Sequence, residues 1–182
     1  MCEQSDIELR RVTDAVGAAS CEQLFVEYVA WVFEQFRTVH GSDLPDARQA
    51  IVHAEFRAEY PKLLGDRGRM VLATLRGEPA AVGALKPLSG EASELKRMYV
   101  RPAFRGLGLG RRVVDYLVGE ARSLGYLTVQ LDSADFMTGA HRLYRSAGFV
   151  DRPAYQGEAA RHGLVAHMLF MTLDLTTSAP LH

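Results

Sequence analysis

Between Leu95 and Arg112 the chain reads Leu95-Lys96-Arg97-Met98-Tyr99-Val100-Arg101-Pro102-Ala103-Phe104-Arg105-Gly106-Leu107-Gly108-Leu109-Gly110-Arg111-Arg112. A strand-like run passes through a proline turn into glycines at alternate positions, and the glycines open a helix. Without Cβ atoms the backbone can close on an anion, and the first N–H groups of a helix have no partners of their own. The positive end of the helix strengthens that attraction. Lys96, Arg97, Arg101, Arg105, Arg111 and Arg112 add positive charge without one intervening acid. The chemistry this arrangement favours is the binding of a pyrophosphate.

Two familiar phosphate-binding patterns fit poorly. A P-loop needs Gly-Lys-Ser/Thr at its end, and this segment ends in Gly110-Arg111-Arg112. A Rossmann fingerprint can be read loosely from Gly106, Gly108 and Gly110, with Asp132 near the distance expected of the ribose-binding acid. That site normally opens a βαβ unit, so the reading is weakened but stands as an alternative.

Farther along, Ala140-His141-Arg142-Leu143-Tyr144-Arg145-Ser146-Ala147-Gly148-Phe149 forms a second pattern. Taken together, the two segments resemble the GNAT superfamily of N-acetyltransferases. Its Gln/Arg-x-x-Gly-x-Gly/Ala motif is matched from Arg105 to Gly110, and its A-x-x-L-Y-x-x-x-G-F signature from Ala140 to Phe149. The likeness extends over about residues 71–150 and is topological before that.

The resemblance implies acetyl-CoA as co-substrate and direct transfer of its acetyl group to a primary amine of a small molecule or peptide. It implies that the strand Met98-Tyr99-Val100 holds the pantetheine arm and thioester through backbone groups. The N–H groups of Arg105, Gly106, Leu107, Gly108, Leu109 and Gly110 would take the pyrophosphate, with Arg111 continuing the helix start. Tyr144 matches the family tyrosine that protonates the leaving thiolate, a role open to a phenol because its ordinary pKa is about 10. An attacking amine must lose a proton, and Glu94 at the start of the central strand is the candidate base, with Glu91 in reserve. Cys2 and Cys21 lie in neither motif, which disfavours a cysteine acyl-enzyme. A non-catalytic acyl-CoA-binding domain and a transferase for another acyl group are the alternatives.

These residues need a scaffold. Residues 6–12 alternate like a half-buried strand. Ser20 followed by Gln23 has the form of a capping box, and Leu24, Phe25, Tyr28, Val29, Val32, Phe33 and Phe36 recur behind it at helical spacing. A second helix is expected over residues 46–60, stopped at Tyr60-Pro61. Strands follow at 70–75, 80–85 and 94–100, the first two joined by a turn at Arg76-Gly77-Glu78-Pro79. The helix after the glycines should run to about Leu124 and bury Val113, Val114, Leu117, Val118 and Ala121. A strand at 127–131, a helix at 136–146 ended by Gly148, a short strand at 149–150 and an internal apolar strand at 165–175 complete the pattern. The expected class is α/β (α+β): one domain over residues 1–175 with a mixed central sheet flanked by helices, then a flexible tail at 176–182.

Whole-chain properties narrow the function further. A net charge of -1 gives no broad nucleic-acid-binding face. No apolar run approaches the ~20 residues of a membrane span, and the acidic N-terminus lacks a secretory h-region. A reduced, cytoplasmic protein is expected, with no membrane or nucleic-acid partner, and the final apolar strand leaves a homodimer open. No metal is expected, since His141 and His167 stand isolated in the sequence. Substrate contacts are expected from Tyr28, Trp31, Phe33 and Phe36, and from Tyr155, Glu158 and His162 after the second motif.

Overall fold

The computed structural model describes residues 6–41, 49–155 and 165–176; Glu158, His162 and the expected tail beyond 176 lie outside them. The alternating run forms β1 (Ile7–Arg11), which pairs antiparallel with β2 (Arg69–Leu75). Asp14, rather than Ser20, opens the first helix. Its backbone is extended and its carboxylate accepts the Gly17 N–H at 2.6 Å, so α1 covers Ala15–His40. The Ser20 hydroxyl donates instead to the Val16 carbonyl, one turn inside the helix.

The second helix, α2 (Gln49–Leu64), continues past the expected stop and carries Pro61 within it. A proline forfeits one helical hydrogen bond, a loss that matters least near a helix end. Beyond Pro61, Leu63 is completely buried, and packing of that side chain holds the last turn in place. Burying a leucine contributes about 1.5–3 kcal/mol, enough to offset the missing bond.

A two-residue turn at Arg76-Gly77 joins β2 to β3 (Glu78–Pro87), which pairs antiparallel with β4 (Ala92–Val100). The second half follows as α3 (Leu109–Ser123), β5 (Thr128–Ala134), α4 (Thr138–Ser146), β6 (Val150–Asp151) and β7 (Met168–Asp174). The seven strands lie in the order β1-β2-β3-β4-β5-β7-β6, and β7 is internal as its apolar sequence requires. Among the described residues only β4 and β5 run parallel. The antiparallel first half rules out the Rossmann reading, because a doubly wound sheet is built mostly from parallel strands.

Helices α1 and α2 cover one face, where Phe25, Phe56, Leu72, Val82 and Tyr99 pack together. Helix α3 covers the other, burying Val113, Val114, Leu117 and Ala121 against Val71, Leu85, Leu95 and Leu131. None of the described helices is long and apolar enough to cross a membrane.

Candidate active site

The parallel pair is short. β4 meets β5 only at Ala92↔Thr128, Ser93↔Val129 and Glu94↔Gln130, although both strands continue. Past Glu94 the strands part, which leaves one edge of β4 without a ladder partner. A bulge lies in the same stretch, where the pairing with β3 jumps from Ala84↔Lys96 to Val82↔Tyr99. Arg97 there has φ 58°, and Leu95 and Met98 consequently share the α3 face. Opposite the bulge, a β-carbon on Gly83 would stand 2.6 Å from both Met98 Sδ and Val113 Cγ1, so only glycine fits.

Main-chain direction beyond the bulge follows from two hydrogen bonds. The Arg101 N–H donates to Ala80 on β3, whereas the Val100 carbonyl accepts from the Arg105 side chain. Alternation along a strand then turns the polar groups of Met98 and Val100 into the gap between β4 and β5. Tyr99 turns the other way: its backbone faces Val82 on β3, and its ring lies 5.7 Å from that of Tyr28. Packing accounts for its side chain.

The strand leads through a 3₁₀ turn at Pro102–Phe104 to the glycines. Gly106 and Gly108 have φ of 81° and 78°, and a β-carbon on either would meet nothing within 4 Å. No side chain caps Gly108, the residue before α3, so the first amides of α3 are open to an anion. Leu109 is buried and anchors that first turn. Leu107 is exposed. Gly110 has a packing role, since its β-carbon would lie 3.2 Å from Leu143 on α4.

The cations around the loop are less available than the sequence implied. Glu59 on α2 gathers Lys86, Lys96 and Arg97, and the Glu27 carboxylate receives two bonds from Arg101 at 2.9 and 2.7 Å. Arg111 binds Asp115 and the Ser146 carbonyl, which leaves its main chain but not its guanidinium at the helix start. Arg105 lies 5.1 Å over the Trp31 ring. An anion at this loop would therefore meet chiefly backbone N–H groups and the helix end. The acids that engage Lys96, Arg97 and Arg101 are distant in sequence, on α2 and α1, whereas Asp115 lies one turn from Arg111 on α3.

Tyr144, on α4, is buried, with its ring 5.9 Å from Phe149. Burial, with smaller contributions from Tyr28 and the Asp132 carboxylate, pushes its phenol well above the ordinary range. It therefore stays protonated throughout neutral pH. Glu94 sits at the last paired position before the strands part and is 3% exposed. Its carboxylate accepts the Tyr155 hydroxyl at 3.0 Å and lies 3.6 Å from Lys96 Nζ. Glu91 lies in the exposed turn before β4. Asp132, which sequence reasoning considered only for a ribose, stands on β5 close enough to raise both Tyr144 and Tyr155. Its signal was available in the alternation of β5, which puts it on the same face as Gln130, the partner of Glu94.

Of the remaining candidates, Tyr28 and Trp31 lie on the α1 wall near the gap, while Phe36 packs against both His40 and His167. His141 is a core histidine bonded to Ser133, and burial lowers its pKa. His167 is not isolated: His40 and Asp135 stand beside it. Cys21 is enclosed in the α1 core, where burial pushes its thiol up to about 12 and suppresses nucleophilicity at neutral pH.

A mixed sheet with one parting parallel pair, opening onto a glycine-rich helix start, defines an acyl-CoA-transferase type of fold. Residues 27–149 match the acetyltransferase (GNAT) family, and the chain belongs to it. An uncharacterized N-acetyltransferase of Schizosaccharomyces pombe is 35% identical over 94 residues, covering 51% of this chain and 55% of that one. The chain spans about half the length of this and two further curated relatives that it matches. An L-amino acid N-acyltransferase of Escherichia coli, MnaT, is 26% identical over 170 residues, 93% of each chain. Among solved structures, the Salmonella typhimurium acetyltransferase yncA, determined with acetyl-CoA, superposes with TM-score 0.64 at 19% identity over 97% of this chain and 98% of that one. That likeness is one of fold.

Proposed function

We propose that the protein transfers acetyl from acetyl-CoA directly to a primary amine of a small molecule or peptide. The observation that carries this reading is the parting of β4 from β5, with an uncapped α3 beyond it. Backbone groups of Met98 and Val100 would hold the pantetheine arm, and the amides of residues 105–110, with that of Arg111, the pyrophosphate. The open space over Gly106 and Gly108 fits that load. The full-length match to an amino-acid N-acyltransferase supports a small amine as acceptor.

The reaction needs two proton movements. As the amine nitrogen attacks the thioester carbonyl, its proton passes to the Glu94 carboxylate. The carbon–sulfur bond then breaks, and Tyr144 protonates the departing thiolate. A backbone N–H facing the gap supports the charge on the carbonyl oxygen between these events. In this reading Glu94, fixed by Tyr155, is the proton acceptor, and Tyr144, in the core against α3, is the donor.

The test is acetyl-CoA-dependent thiol release against small amines, amino acids and short peptides, with mass detection of products. The proposal predicts acceptor-dependent release and a gain of one acetyl group on the acceptor. Tight binding of acetyl-CoA with no release for any acceptor would contradict it in favour of a binding module.

A further inference from the structure

We infer that His40, Asp135 and His167 form a divalent-metal site of the zinc class, separate from the proposed acetyl-transfer groups. The three residues come from the end of α1, the loop between β5 and α4, and the 3₁₀ turn before β7. One donor atom from each lies within 4.8 Å of the other two. His40 Nε2 is 3.1 Å from Asp135 Oδ1, and His167 Nδ1 is 3.9 Å from Asp135 Oδ2. Ligands about 2.0–2.2 Å from a tetrahedral zinc ion stand roughly 3.4 Å from each other, so the His40–Asp135 spacing nearly meets the requirement and the His167 ring needs a small inward shift.

The Asp135 N–H donates to the His167 carbonyl at 2.9 Å, which sets their main chains side by side but does not pair their side chains. The His40 contact is a hydrogen bond, but 3.9 Å is too long for one from His167. The two imidazole rings nevertheless lie 4.4 Å apart, with the Asp135 carboxylate beside a donor nitrogen of each. Phe36 packs against both rings, at 4.5 and 5.3 Å, and so orients them before any ion arrives. That preorganisation lowers the conformational cost of binding. The side chains are 18%, 42% and 39% exposed, so an ion can reach them from solvent.

Two imidazoles and one carboxylate suit Zn2+ and its neighbours better than Ca2+ or Mg2+, which prefer all-oxygen sites. Bound there, the ion ties α1 and the start of β7 to the loop that carries Phe136. Phe136 makes an edge contact with Trp31, at 6.1 Å, on the wall of the proposed acceptor cleft. The ion is thus a clamp on that wall and takes no part in acetyl transfer.

The experiment uses tag-free full-length protein, stripped with chelator and titrated calorimetrically with Zn2+, with Co2+ as a spectroscopic probe. One equivalent of Zn2+ should bind and raise the melting temperature, and Co2+ should give the visible bands of a low-coordinate nitrogen–oxygen site. H40A, D135N and H167A should each weaken binding at least about tenfold. H40Q, with circular dichroism on every variant, separates a lost ligand from a lost fold. Absence of Zn2+ binding to the folded parent protein would overturn the inference. Equal affinity in the parent and all folded variants would also overturn it.

Discussion

Tyr155 donates its hydroxyl to Glu94 Oε1 at 3.0 Å, across 61 positions of sequence. The bond fastens the segment after β6 to the point where β4 and β5 part. Phe170 on β7 holds the Tyr155 ring edge-on at 5.4 Å. Burial, followed by the Glu94 and Asp132 carboxylates, pushes the Tyr155 phenol far up, so it remains a donor and fixes the Glu94 carboxylate in place.

If Glu94 takes the amine proton, E94Q should lower kcat by roughly 100-fold. Y155F should lower it less, by about tenfold, through lost positioning. Because the two groups act through one bond, the double variant should be no slower than E94Q alone. Steady-state kinetics on the four proteins checks this. Near-normal turnover by E94Q across pH would remove Glu94 as the base.

Y144F should lower kcat about 10–100-fold and leave the KM for acetyl-CoA close to the parent value. The sign of the pH effect follows from the direction of the Tyr144 shift. Burial raises the phenol above its ordinary value, so it stays protonated and active as pH climbs through the mildly alkaline range. Any alkaline loss of kcat below pH about 10 should therefore persist unchanged in Y144F. Loss of that alkaline limb in Y144F would instead show that this phenol titrates below pH about 10, against the rise that burial gives it.

Glu59 makes a prediction about stability. Burial acts to raise its carboxyl, but Lys96, Lys86 and Arg97 outweigh it and hold the pKa at about 2, from an ordinary 4.5. A carboxyl depressed in the folded state stabilises fully above its unfolded pKa, and the contribution fades as pH falls from 4.5 toward 2. E59Q removes the acid shared by Lys86, Lys96 and Arg97, although Lys96 keeps Glu94 at 3.6 Å, and should cost about 3 kcal/mol at neutral pH. The gap to the parent should close on acidification through that window. Denaturant unfolding at pH 7 and pH 3 measures both effects.

The elements that proved legible were those with a strong local signal. The stripe Val113, Val114, Leu117 and Ala121 is buried as its period demands, and Gly148 ends α4 with φ 94° and a bond to the Arg145 carbonyl. Both motif segments also lie on the elements expected of them. What escaped was long-range. Asp14 replaced Ser20 as a cap because both residue types can cap and local sequence does not rank them. Pro61 did not stop α2, because the packing of Leu63 is a tertiary effect. The same blindness hid the engagement of Lys96 and Arg97 by Glu59, and the approach of His40 to His167.

G108A separates the local strain of the loop from its proposed load. A left-handed backbone at φ 78° costs a non-glycine residue about 1–2 kcal/mol, and the added carbon meets no protein atom within 4 Å. A modest fall in melting temperature should accompany at least a tenfold loss of acetyl-CoA affinity by calorimetry. Unchanged affinity would clear the loop of that role.

The most direct test of the account is a crystal structure of the protein with CoA. It should show the pantetheine arm between β4 and β5, bonded to the main chain of Met98 and Val100. The pyrophosphate should rest on the amides that precede and open α3, with the sulfur in reach of the Tyr144 hydroxyl. A CoA molecule bound elsewhere, or with its sulfur turned away from Tyr144, would contradict the account.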